Sequence, residues 1–145
     1  MIRYKADWVI PIASPMLQPG RVDVDGDLVV GVGGVHAWEP SGTEVVELGS
    51  TAVLPALVNA HTHLELSGLR GSVPPASSMP VWVNHLLSRR TKAESSDTAE
   101  IEQAIAEARA SGTGLFGDIG NTLAAMPLLE TSGVAARLFC EVLAF

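Results

Sequence analysis

Residues 51–63 read TAVLPALVNAHTH, and the chain continues LELSG through Gly68. The run is apolar on both faces, as a strand buried in a parallel sheet is, and it closes on two histidines one residue apart. Residues two apart in a strand project to the same face, with Cα atoms roughly 6.6 Å apart, so the imidazoles of His61 and His63 reach one ion. Zinc–nitrogen bonds of about 2.0–2.1 Å fit that convergence, and imidazole is the commonest metal ligand near neutral pH. A bare His-x-His occurs by chance about as often as it marks a site. The apolar run before this pair and the long Gly/Pro/Ser loop after it favour the metal. At the carboxyl end of a parallel strand, the pair stands where barrel active sites form.

Downstream, strands alternate with amphipathic helices, the pattern of βα units and a parallel sheet. Residues 66–79 form a long loop of the lid or binding type. Pro80 opens a helix whose apolar side is Trp82, Leu86 and Leu87, packed on the sheet. Asp97 is the expected N-cap of a second helix, with Glu100 three residues later and Ile101, Ala104, Ile105 and Ala108 at helical spacing until Gly112. A second strand, GLFGDIG, follows. A short helix then runs to about Ser132, with Pro127 in its first turn and Gly133 at its end. The third strand is VAARLFCEVLAF. The stretch GTGLFG fits a dinucleotide-binding glycine pattern, but it runs from helix into strand, the reverse of the order that places a pyrophosphate on a helix N-terminus.

Upstream, residues 1–50 alternate short apolar runs with turn residues, predicting three or four small antiparallel strands. Val22 and Val24 alternate with charges, Asp25-Gly26 supplies a turn tolerant of positive φ, and Leu28–Val32 returns, which makes a hairpin. A further strand covers about Thr43–Leu48. Residues 1–50 and 51–145 are thus the two expected parts of the chain.

Composition narrows the function. Nine Lys and Arg against sixteen Asp and Glu give a net charge of −7 in 145 residues, which disfavours a nucleic acid polymer as partner. The N-terminal apolar stretch carries Asp7 and is interrupted by Pro11, unlike a signal peptide, and no run approaches the roughly 18 apolar residues of a membrane span. The lone Cys140 points to a reducing, cytoplasmic setting.

Other candidates surround the pair. Glu65 continues the parity of His61 and His63, so it faces a substrate, orients a ligand, or is a solvated loop carboxylate. Glu141 and Asp118 lie near the ends of the third and second strands, where substrate contacts, ion pairs or plain solvation are all open. Asn121 and Asn59 orient a histidine or a loop, or are turn residues. His36, in the N-terminal strands, and His85, in the first helix, are structural.

The segment VLPALVNAHTHLELS resembles the first-strand signature of the amidohydrolase superfamily, in which a proline-led apolar strand ends in His-x-His. It is most similar to the cytosine deaminase and ATZ/TRZ-type branch, and its HTHLELS wording resembles the aminofutalosine-deaminase-like members. ADWVIPI, VDGDLVVGVG, GDIGN and LFCEVLAF are similar to that branch as well. Ala56 departs from the glycine usual after the proline. The resemblance implies an α/β chain: a small N-terminal β-sandwich part over 1–50, then about the first three βα units of a truncated (β/α)8 TIM barrel over 51–145. It implies a divalent metal ion, zinc or iron, held in part by His61 and His63, that activates water for attack on a C–N centre. The expected substrate is a nucleoside-like or heteroaromatic amine, and deamination the expected reaction. Glu65 and Glu141 are candidate substrate contacts.

A (β/α)8 barrel needs about 250 residues, and 95 follow position 50. The chain is accordingly expected to be the N-terminal portion of a longer metal-dependent hydrolase, with its general acid and base beyond residue 145, inactive by itself, and possible as a homo-oligomer when intact. The alternative is a complete, non-catalytic binding or assembly protein that uses an exposed strand edge.

Overall fold

A proline in mid-strand withholds an N–H from the ladder, and Pro55 divides the segment 51–63. In the computed structural model, which describes residues 1–90 and 98–142, Ala52–Val53 and Leu57–Thr62 are separate strands with different partners. The single strand expected over 51–63 is therefore two. The chain falls into two compact units that meet at Pro55 and Ala56, because Ala52–Val53 pairs with a strand of the first unit.

The first unit holds β1 (Ile2–Ala6), β2 (Trp8–Val9), β3 (Gly20–Asp25), β4 (Leu28–Gly34), β5 (Glu44–Glu47) and β6 (Ala52–Val53). Its larger sheet has the order β4-β3-β1-β5, and β2 pairs with β6. The β3–β4 hairpin turns where the sequence predicts, with Gly26 at φ 57°. The expectation of purely antiparallel strands fails at two pairings: β1 lies parallel to β5, and β2 to β6. The segments between these strands are long enough for the crossover that parallel pairing needs.

The second unit holds β7 (Leu57–Thr62), a 3-10 helix (Leu64–Leu69), α1 (Met79–Arg90), α2 (Thr98–Ala110), β8 (Thr113–Gly120), α3 (Met126–Ser132) and β9 (Ala135–Cys140). Its sheet, β7-β8-β9, is wholly parallel, as the βα pattern predicts. Leu64, Ile101, Ile105, Phe116, Ala125 and Leu129 form the core. Ile101 and Ile105 are one helical turn apart on α2, so both enter this core from one face of the helix. Gly112 at φ 93° ends α2, and Gly133 at φ 72° ends α3, the left-handed closing positions that glycine fills without strain. Asp97 lies outside the described residues.

Three expectations for this unit change. The loop 66–79 is helical at its start, because Leu64 and Glu65 are buried and anchor a 3-10 helix. Helix α1 buries no residue: Leu86 and Leu87 are half-buried and Trp82 is exposed. Strand β7, expected to be covered on both faces, is largely exposed at the edge of its three-stranded sheet. No helix among the described residues is long and apolar enough to cross a membrane.

The GTGLFG stretch lies at the end of α2 and along β8. Its glycines serve close packing: a Cβ on Gly114 would collide with the Cβ of Ala56, and one on Gly117 would stand 2.6 Å from the carbonyl oxygen of Ala60. The methyl of Ala56 is thus accommodated by the bare backbone of Gly114 on the neighbouring strand.

Candidate metal centre

His61 and His63 come together. Their Nε2 atoms are 3.2 Å apart, and the rings meet edge to face with centroids 5.1 Å apart. Two nitrogen lone pairs at that separation repel unless a proton or a cation lies between them. An ion about 2.05 Å from each nitrogen would subtend an angle of about 100°, close to the tetrahedral value zinc prefers.

The backbone achieves this differently from the period-two expectation. Asn59 pairs with Phe116 and Thr62 with Asp118, so β7 spends one residue more than β8 over the interval. This is a bulge, a device that re-aims side chains. His61 lies in the bulged stretch. His63 lies beyond the strand end, at φ −131° and ψ 72°, just before the 3-10 helix.

One hydrogen bond sets the chemistry of His63. Its Nδ1 lies 2.9 Å from the carbonyl oxygen of Ile119. A carbonyl only accepts, so Nδ1 carries the proton and Nε2 presents its lone pair to the site. This ring is therefore held in the tautomer that ligates through Nε2. The residues present fit a divalent metal as two of its ligands. Among the described residues no group of three or more His, Cys, Asp or Glu could hold an ion, so the pair has no third protein ligand here.

Glu65 is 8% exposed, which removes the solvated reading. Its Oε1 accepts from Arg90 Nη2 at 2.9 Å and from Asn121 N at 3.0 Å. Its Oε2 accepts from Thr122 N at 3.0 Å and Thr122 Oγ1 at 2.7 Å. Burial pushes its pKa up, but the N–H groups of Asn121 and Thr122, the Thr122 hydroxyl and the Arg90 charge together hold it below the usual glutamate range. With four donors from its own chain, Glu65 ties the loop after β8 to the end of α1.

Asn121 extends that tie. Its Oδ1 accepts from Arg90 Nη1 at 2.6 Å, and its Nδ2 donates to the Glu141 carbonyl at 2.7 Å. Glu141 is exposed, and it joins the network through its backbone, its N–H donating to the Gly120 carbonyl at 2.9 Å. Asp118 is 2% exposed and, among the described residues, makes no ion pair. Its Oδ1 accepts from Thr62 Oγ1 at 2.9 Å and Leu64 N at 2.8 Å. Asn59 is an exposed strand residue.

Sequence reasoning passed over Arg90, Thr122 and the anchoring role of Asp118. Arg90 has the one visible signal, a basic residue closing a helix, but that signal is fully explained by the helix dipole.

No family model matches the chain. The adenosine deaminase of Helicobacter pylori is 33% identical over 94 residues, 65% of this chain and 23% of that protein. A 5-methylthioadenosine/S-adenosylhomocysteine deaminase of Bacillus cereus is 30% identical over 143 residues, 91% of this chain and 32% of that one. The crystal structure of H. pylori aminofutalosine deaminase with methylthio-coformycin superposes at a TM-score of 0.87 and 27% identity, covering 99% of this chain and 36% of the other. The chain belongs to the amidohydrolase superfamily. It spans about a third or less of the length of the curated relatives it matches. A mutant of atrazine chlorohydrolase from Arthrobacter aurescens, complexed with zinc and atraton, shares the fold at 19% identity and a TM-score of 0.76, over 95% of this chain and 35% of that one.

Proposed function

We propose that these residues form the N-terminal portion of a metal-dependent deaminase acting on a nucleoside-like amine, with Met1–Pro55 belonging to a β-sandwich part and the unit that starts at Ala56 opening a (β/α)8 barrel. The observation that carries this reading is the His61–His63 pair, with Nε2 atoms 3.2 Å apart and the proton of His63 held on Nδ1 by Ile119. It stands at the carboxyl end of a parallel strand, where barrel enzymes work. The deaminase names of the relatives support the reaction, and the zinc complex of atrazine chlorohydrolase supports the ion.

His61 and His63 would be two of the residues that hold zinc or iron. When bound, that ion would supply a water made nucleophilic near neutral pH. In the deamination, oxygen from water bonds to the ring carbon, the C–N bond breaks, and the nitrogen leaves as ammonia. Glu65 acts by fixing the loop at residues 121–122 beside the site, and Glu141, exposed at the end of β9, remains the candidate for substrate contact. Two imidazoles fall short of the three protein ligands typical of catalytic zinc, so residues 1–145 by themselves are inactive. The setting is cytoplasmic.

The test is ammonia release from adenine nucleosides by the full product of the gene, supplied with Zn²⁺. His61→Ala is expected to lower kcat/KM at least a thousandfold. An inert, metal-free full-length product sinks the reading, as does turnover by residues 1–145 for the inactivity of this portion.

A further inference from the structure

We propose that Asp118 is a positioning residue for the His61–His63 pair, a role that rests on the metal reading above. Two consecutive residues of β8 hold three consecutive residues at the end of β7. Asp118 Oδ1 accepts from the Thr62 hydroxyl at 2.9 Å and the Leu64 N–H at 2.8 Å, while the Ile119 carbonyl accepts from His63 Nδ1 at 2.9 Å. The residues on either side of His63 are thus bound to one oxygen, and its ring to the next carbonyl.

The placement follows from the register. Thr62 pairs with Asp118, and side chains alternate along a strand, so Phe116 and Asp118 share the face of β8 that packs into the core. Phe116 is fully buried and apolar. Asp118 breaks that pattern at the position level with Thr62, although a buried carboxylate without an ion pair is costly. What it obtains there is two hydrogen bonds. The Leu64 N–H opens the 3-10 helix and has no partner within it, so Asp118 caps that start. Asp118 makes no hydrogen bond to either imidazole. It acts through the backbone that roots the His63 ring, and so keeps the ring within reach of Ile119 and its Nε2 beside that of His61.

The test uses this chain, Zn²⁺ as the probe, and long-range ¹H–¹⁵N correlation spectra that report each imidazole's tautomer. Asp118→Asn keeps an oxygen able to accept both hydrogen bonds, whereas Asp118→Ala removes it. Wild type and Asp118→Asn are expected to show His63 protonated on Nδ1 and to bind Zn²⁺ within about twofold of each other. Asp118→Ala is expected to show mixed tautomers and to bind roughly tenfold more weakly, the usual cost of losing an outer partner of a metal ligand. Thr62→Val and Thr62→Ser repeat the comparison at a half-buried position, so a failure of Asp118→Ala to fold leaves the question decidable. An unchanged His63 tautomer and Zn²⁺ affinity in folded Asp118→Ala, or in Thr62→Val, overturns the role. Should wild type bind no Zn²⁺, two imidazoles are too few ligands to hold the ion by themselves, the metal reading is left to the full-length product, and the tautomer comparison alone decides the role of Asp118.

Discussion

A guanidinium leaves water only where several good acceptors meet it, and Arg3, 1% exposed, has four. Asp23 receives Nε at 2.7 Å and Nη2 at 3.1 Å, and the carbonyls of Ala37 and Trp38 receive Nη1 at 3.2 Å and Nη2 at 3.1 Å. The hydrogen bond from Arg3 is the main cause that holds the Asp23 carboxyl below the usual carboxylate range; burial opposes it, and the charges of Arg21 and Arg3 reinforce it. A depressed folded-state pKa places the stabilisation fully above the unfolded value of about 3.9, and it is lost as pH falls through the lower folded value. Asp23→Asn is expected to lower the melting temperature by roughly 10 °C at pH 7. The gap to wild type should close as pH falls from about 5 to 2. Thermal melts across that range check both parts, and a gap that persists undiminished to pH 2 would show that the carboxylate charge is not its source.

The bulge in β7 depends on glycine in β8. A Cβ at position 117 would stand 2.6 Å from the Ala60 oxygen and 2.9 Å from its carbonyl carbon, and a backbone neighbour cannot rotate away as a side-chain tip can. Gly117→Ala is therefore expected to destabilise the second unit by about 1–3 kcal/mol and to move His61, which follows Ala60 directly. Denaturant melts give the first effect, and the His61 imidazole signals the second; unchanged values for both would mean that the strands part without cost. The same bulge marks the limit of the sequence reading. Residue type and spacing are enough to predict that His61 and His63 meet, and Asp25-Gly26 is enough to place a hairpin. Simple strand alternation brings the two histidines together, as the structure does, but through a regular backbone, because a one-residue slip between β7 and β8 leaves no mark in a single sequence. The anchors were hidden for a related reason. Asp118 lies 54 positions from Leu64, and Thr122 lies 57 from Glu65, and only the register of the parallel sheet makes them neighbours.

Each sheet ends in open strands. Among the described residues β4 is an outer strand of the four-stranded sheet and exposes Leu28, Val29, Val30 and Val32, while β7, at an edge of the three-stranded parallel sheet, exposes Leu57 and Val58. Unpaired edges carrying β-branched residues are templates for further pairing. A net charge of −7 opposes association, but that repulsion is long-ranged and screened by salt, whereas edge pairing acts at contact. The chain is accordingly expected to self-associate with rising concentration, and more so at 0.5 M than at 0.05 M NaCl, where the Debye length shortens from about 14 Å to about 4 Å. Val30→Lys places a charge on the exposed strand, the device natural sheets use to blunt an edge, and should shift the sedimentation profile toward monomer if β4 is the contact. The substitution discriminates between edges: association untouched by Val30→Lys assigns the contact to an edge other than β4, and a monodisperse monomer at high salt and about 100 μM would show that no edge pairs, since micromolar affinity needs only about 8 kcal/mol.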